Sequence, residues 1–318
     1  MAKVQFRILL KNPKLIILNY KRENYLTASN YILPTFFLIG ERKCGTSSLY
    51  RYLIHHPNIL PCALKEPNFF GKGADYVATH IADYWALFPE KESNQARSFV
   101  WPELNEAGIL YEQEVIIPRI ANQNYITGEA SANTFFEVEP TLVKKYFPNI
   151  KLILLFRNPI DRAFSHHRMY QRFQAEGRVL KNRVHTFEED ISAEMAVVQA
   201  GGQGEFISPS IYLPQLQKWV ATFGPLAIRL YFAEDLKIPA KAAAILADIC
   251  TFLGIPPYPY GDYLKKQFNK APAASFSSSL KRELQAFFEP YNQELFAYIK
   301  EERIMGIFLE KKERWRKS

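Results

Sequence analysis

Residues 36–53 read FFLIGERKCGTSSLYRYL, and this stretch limits the fold more than any other. The apolar run Phe36 to Ile39 has the continuity of a strand buried on both faces of a parallel sheet. Gly40 ends the run, Glu41-Arg42-Lys43-Cys44-Gly45 makes a short polar turn, and Thr46-Ser47-Ser48 opens a helix that should stop at Pro57. The free N–H groups and positive dipole end of such a helix attract phosphate-like anions. Lys43 adds a mobile charge there, and the three hydroxyls add donors. The plainer reading is an ordinary strand-to-helix turn with solvated charges.

The spacing is close to that of a nucleoside-triphosphate loop and departs from it. Gly40 and Gly45 fit G-x-x-x-x-G, but Thr46 and Ser47 follow where Lys and Ser or Thr should stand. The lysine sits inside the loop at 43, which moves its ammonium from the far phosphates toward the bridging atoms. The pattern R-K-x-G-T-S-S resembles the 5′-phosphosulfate loop of sulfotransferases that use 3′-phosphoadenosine 5′-phosphosulfate (PAPS).

A second apolar strand, Lys151–Phe156, delivers Arg157-Asn158-Pro159 and a helix from Ile160 through Tyr170 or beyond. Arg157 leaves the strand, and Ser165 lies about two helical turns further on. Such a pair could grip a dianionic phosphate, the arginine as a fork and the serine as a hydroxyl donor. The alternative is an arginine paired with a carboxylate and a serine without a task. KLILLFRNPIDRAFSHH resembles the 3′-phosphate site of the same family.

The other elements are coarser. A short helix is expected at Ile81–Phe88, a loop and helix at 101–123, and a short strand at Tyr125–Thr127 leading into Gly128–Asn133. Helices are expected at Thr141–Phe147, around Phe187–Val198, from Leu213 to Phe223, from Pro239 to Gly254 and across Leu280–Ile299. A strand is expected at Leu226–Phe232. Strands alternating with helices predict an α/β fold: a single domain with a central parallel sheet flanked by helices and a P-loop-like turn. Ligands of such sheets sit at the carboxyl ends of the strands, which puts both special turns on one crevice.

The resemblance is closest to the heparan-sulfate-type and bacterial carbohydrate-type sulfotransferases, and it spans roughly residues 33 to 300. Lys65-Glu66-Pro67-Asn68-Phe69-Phe70 resembles the segment carrying that family's general base, which implies the role for Glu66. Tyr212, Leu216 and Trp219 resemble its Y-x-x-x-L-x-x-W helix, Phe287–Asn292 its F-F-x-P-Y-N signature, and Asn269-Lys270 its basic loop over the donor phosphates. The resemblance implies sulfuryl transfer from PAPS, without a metal, to a hydroxyl or amine of a small-molecule or glycan acceptor. Lys43 and Glu66 would be catalytic. Arg42, Lys43, Cys44, Gly45, Thr46, Ser47, Ser48, Arg157, Ser165, Tyr212 and Lys270 would bind the donor. The sequence departs from the family where Ala130 replaces a lysine, Ala132 a proline and Asn68 a histidine. The missing lysine argues against a sulfated or uronate-rich acceptor. His55, His56, His166 and His167 read as structural or surface residues.

Composition bounds the rivals. The 318 residues carry net charge +8, which suits an anionic ligand, nucleic acid or an acidic lipid surface without choosing among them. No zinc-finger or RNP signature is visible, so a nucleic-acid partner is not expected. The three cysteines form no CxxC pair, and neither a signal-peptide core nor an apolar run of ~20 residues is seen, so a reducing, cytoplasmic setting is expected. A basic arm at 1–30, preceding a domain at 31–318, interleaves cations with Val4, Phe6, Ile8 and Leu9 and could touch anionic lipid weakly. An ATP–magnesium phosphotransferase would need a lysine directly after Gly45 and an aspartate ending a strand. A non-catalytic basic protein would explain the charge but not the paired anion sites.

Overall fold

The computed structural model describes residues 27–91, 97–104, 110–117, 124–178, 184–266, 275–307 and Trp315. The expectations for the arm at 1–26 and for Lys270 therefore lie outside the described residues. Asn30 and Tyr31 already join the domain, through the Lys91 N–H on the Asn30 carbonyl and a bridge to Glu90.

In chain order the described elements are β1 Phe36–Gly40, α1 Thr46–Ile54, β2 Ile59–Pro61, α2 Ala74–Trp85, β3 Arg97–Leu104, β4 Leu110–Ile117, β5 Ile126–Ala130, α3 Thr134–Glu137, α4 Pro140–Tyr146, β6 Lys151–Phe156, α5 Pro159–Ala175, α6 Phe187–Gln199, α7 Leu213–Phe223, β7 Ile228–Phe232, α8 Pro239–Leu253 and α9 Ser278–Glu301. The main sheet runs β2-β5-β1-β6-β7, and every pair in it is parallel. β1 occupies the middle because all of its residues are apolar or glycine, and all are buried. The edge strand β2 is short and ends in Pro61, a residue that a central strand accommodates poorly.

β1 and β6 are hydrogen-bonded neighbours, with Leu38 opposite Ile153 and Gly40 opposite Leu154. Their carboxyl ends therefore release the 40–48 turn and the 157–165 segment side by side, as the alternating pattern predicts. A Cβ on Gly40 would lie 2.7 Å from the Phe135 Cβ and 2.9 Å from the Ala132 carbonyl oxygen, and its φ is +156°. Only glycine lets the chain turn out of β1 this close to β5's continuation.

One expectation fails. Residues 97–104 and 110–117 form the antiparallel pair β3–β4, Arg97 opposite Ile117 and Leu104 opposite Leu110, where a loop and helix were expected over 101–123. The β-branched run Val115-Ile116-Ile117 carries strand preference, and pairing with β3 realises it. α2 also starts earlier than the expected Ile81, at Ala74 after Gly73. Among the described residues no helix is long and apolar enough to cross a membrane.

Candidate active site

The 41–45 turn is built from the inside. Glu41 is buried, its backbone N–H donates to the Leu155 carbonyl at 2.9 Å, and its Oε1 accepts from the Arg42 N–H at 2.7 Å and from Arg162 at 3.4 Å. Burial pushes this carboxyl up to about 7, against the pull of Arg162 and Arg42. Arg162, 0% exposed, also donates to the Ser210 hydroxyl and the Phe206 carbonyl, both at 2.7 Å. His166 lies between two guanidiniums, 3.0 Å from Arg42 and 3.3 Å from Arg162. Burial first, then those cations, drive its imidazole far below the usual range, so it stays neutral.

Arg42 is drawn into this network. Its guanidinium donates to Asn133 at 2.7 Å and pairs with Glu137, while its backbone N–H is held by Glu41. Both groups are engaged by protein partners. Tyr212 is engaged in the same way. Its ring stacks on Phe156 at 4.1 Å, and its buried hydroxyl donates to the Arg157 carbonyl at 2.8 Å, with the Cys44 sulfur 3.7 Å away. It supports the two turns from behind. The Cys44 thiol is buried, which pushes it up to about 12, and the Cys44 N–H is taken by the Glu41 carbonyl.

Gly45 caps α1 in the left-handed region, at φ +90°, and no side chain caps the helix. The N–H groups of Thr46, Ser47 and Ser48 are thus the open first-turn donors of α1. Lys43, also left-handed at φ +70°, brings its ammonium 3.7 Å from the Met169 sulfur. Burial, with Arg172 and Arg157 nearby, lowers it to about 8, so it is still mostly protonated at neutral pH. Among the described residues no carboxylate lies within ion-pair distance of it.

Arg157 joins the second turn to the first. Its guanidinium donates to the Lys43 carbonyl at 3.3 Å and lies 3.8 Å from Asp161, and its Nε is buried without a partner. Asn158 starts α5 by accepting from the Ile160 N–H. Ser165 sits four residues after Asp161, which faces Arg157, and four before Met169, which faces Lys43. One turn of helix separates each step, so Ser165 lies on the face of α5 that looks at the loop.

Glu66 stands in the loop after β2, packed against the end of β5. Its N–H donates to the Ala130 carbonyl at the end of β5, and Lys65 pairs with its carboxylate at 2.8 Å. Both Glu66 and Asn68 are left-handed, at φ +53° and +46°. The charge of Glu66 reaches Lys43, which ties base loop and phosphate loop electrostatically. Beneath it, Glu129 is a buried carboxyl that sequence reading passed over. Its only signal was an acid inside the strand Ile126–Ala130.

A model of the sulfotransferase family matches residues 34–207, more than half of the chain. The chain is 26% identical over 245 residues to the human bifunctional heparan sulfate N-deacetylase/N-sulfotransferase 3, covering 73% of this chain and 24% of that protein. It is 24% identical over 246 residues to the Drosophila melanogaster bifunctional heparan sulfate N-deacetylase/N-sulfotransferase, covering 75% and 21%. The chain thus spans about a quarter of the length of these curated relatives. The crystal structure of a sulfotransferase from Alicyclobacillus acidocaldarius aligns with TM-score 0.57 at 23% identity, over 84% of this chain and 96% of that one, and shares its fold. On the match to the family model over more than half of its length, this chain belongs to the sulfotransferase family.

Proposed function

We propose that the chain moves a sulfuryl group from PAPS to a hydroxyl or amine of an acceptor, with carbohydrates as the first class to test. One observation carries this reading: Arg157 bonds to the Lys43 carbonyl beside the uncapped start of α1, so two anion-binding turns make one pocket. The residues fit a doubly phosphorylated nucleotide. The Arg157 Nε is buried without a partner, and Lys43 has no carboxylate partner among the described residues. Thr46, Ser47, Ser48 and the first N–H groups of α1 would hold the 5′-phosphate. Arg157 and Ser165 would hold the 3′-phosphate, and Lys270 is carried by the family pattern alone.

PAPS supplies the sulfuryl group and leaves as 3′,5′-phosphoadenosine. Sulfuryl transfer, like phosphoryl transfer, depends on positioning and charge stabilisation. Lys43 places its ammonium against charge developing on the oxygen between sulfur and phosphate. Glu66 takes the acceptor proton, and Lys65 orients its carboxylate. Free, buried Cys44, Cys62 and Cys250 support a reducing, cytoplasmic setting.

Thermal-shift titration tests the donor. 3′,5′-Phosphoadenosine should stabilise the protein without metal, ATP–magnesium should not, and RNA should act only at low salt. Stabilisation by ATP–magnesium alone would overturn the reading in favour of a phosphotransferase. Incubation with PAPS and a panel of neutral, amino and uronate-bearing oligosaccharides, followed by mass spectrometry for the sulfo increment, identifies the acceptor class.

A further inference from the structure

The loop that carries Glu66 is held in a strained shape. Two non-glycine residues, Glu66 and Asn68, occupy the left-handed region within three positions. Such a conformation persists only where its surroundings enforce it, and the end of β5 does so. The Glu66 N–H donates to Ala130 at 3.2 Å, and the Asn68 amide Nδ2 donates to the Glu66 carbonyl at 3.0 Å. The Asn68 N–H donates to the Ser131 hydroxyl at 3.1 Å, and that hydroxyl donates to Glu129 Oε2 at 2.7 Å. These bonds form a relay from the base loop into the sheet, each one polarising the next. Phe69 locks the far side by stacking on Tyr84 at 4.4 Å.

We propose that Glu129, acting through Ser131, is the positioning residue for Glu66: it fixes the left-handed turn that aims the base. The inference rests on the sulfuryl-transfer reading for what Glu66 does, but the geometry of the relay does not. Glu129 is 2% exposed, and no ion pair reaches it among the described residues. The ionisable groups acting on it are Glu66 from the loop and Tyr84 from α2; Tyr50 of α1, whose hydroxyl donates to the Gly128 carbonyl, and the Cys62 thiol flank Tyr84. On β1 its neighbour in register is Phe37, which is apolar. None of these neutralises a negative charge. Burial first, with the charge of Glu66 adding to it, holds the Glu129 carboxyl protonated up to about 8. As a neutral acid beneath the base, it receives the Ser131 bond without placing a second charge under Glu66.

The experiment reads position and charge separately. In the unfolded chain Glu129 releases its proton near 4.5, and in the folded chain near 8. Its stabilising contribution is therefore full in acid and is lost as the pH rises from 4.5 to 8. Glu41, near 7, and Lys43, near 8, titrate in both proteins, so the readout is the difference: between pH 7 and 8 the melting temperature of the wild type should fall relative to that of Glu129→Gln. Activity is read as release of 3′,5′-phosphoadenosine from PAPS with water as acceptor. Glu129→Gln should keep kcat within about threefold at pH 7, because the amide imitates the neutral acid. Glu129→Ala and Ser131→Ala should each lower kcat tenfold or more, with KM for PAPS and the shift caused by 3′,5′-phosphoadenosine unchanged. Unchanged kcat in Ser131→Ala would overturn the proposal, as would parallel loss of nucleotide binding, which marks a general structural role. Ser131→Ala removes one hydroxyl and serves if Glu129→Ala does not fold. If wild-type protein neither binds 3′,5′-phosphoadenosine nor releases it, the functional reading fails. The pH-dependent difference between the melting curves of wild type and Glu129→Gln still tests the buried acid.

Discussion

The turn after β1 and the loop carrying Glu66 adjoin the same site but are held in different ways. The turn after β1 rests on a core of buried ionisable groups: Glu41, Arg162 and His166 are at most 2% exposed, and Arg42 bridges them to Asn133 and Glu137. Its partners come from β5's continuation, α3, α5 and the segment before α7. The base loop has one row of hydrogen bonds to the end of β5 and a carboxylate 36% exposed. The turn after β1 is embedded in charge-assisted bonds, whereas the Glu66 loop stands on a narrower support. The departures from the family pattern, Asn68, Ala130 and Ala132, fall in the Glu66 loop and at or just past the end of β5.

The contrast can be broken most directly at Arg162. Arg162→Ala strands Glu41 in the core and should cost about 3–5 kcal/mol of stability, seen in denaturant unfolding. A loss below about 1 kcal/mol would mean that the ionisable core is not what holds the turn after β1. Next come the two catalytic assignments. Lys43→Ala and Glu66→Gln should each reduce turnover about 100- to 1000-fold, yet leave 3′,5′-phosphoadenosine binding within a few fold. Near-normal turnover in Glu66→Gln would remove the base from the rim loop. Because the Lys43 ammonium is brought down to about 8, wild-type turnover should decline as the pH rises through that value and the charge is lost.

Arg157→Ala should weaken nucleotide binding about 100-fold, or ~2.7 kcal/mol, by calorimetric titration. Undiminished affinity would separate the second turn from the donor site. The smallest effect belongs to Tyr212→Phe. Loss of its bond to the Arg157 carbonyl should cost ~1 kcal/mol of stability and change nucleotide affinity little. A loss of affinity matching that of Arg157→Ala would place Tyr212 on the binding surface.

Local pattern determined a good part of this protein. Two apolar runs, 36–40 and 151–156, named the central strands, and their polar continuations named both turns, because strand continuity, helix starts and phosphate-like spacing are short-range properties. The helices with strong apolar stripes, α6 through α9, were legible for the same reason. Tertiary structure decided what those signals do not encode. Residues 97–104 and 110–117 became paired antiparallel strands because strand pairing realised a preference that local reading assigned to loop and helix. Arg42 and Tyr212 are engaged by partners distant in the chain, and Glu41, His166 and Glu129 emerged as buried ionisable groups. Glu41 meets Arg162 across 121 positions and Arg42 meets His166 across 124. Burial and charge pairing at such separations arise only when the sheet brings its strand ends together, so the local sequence carries no mark of them.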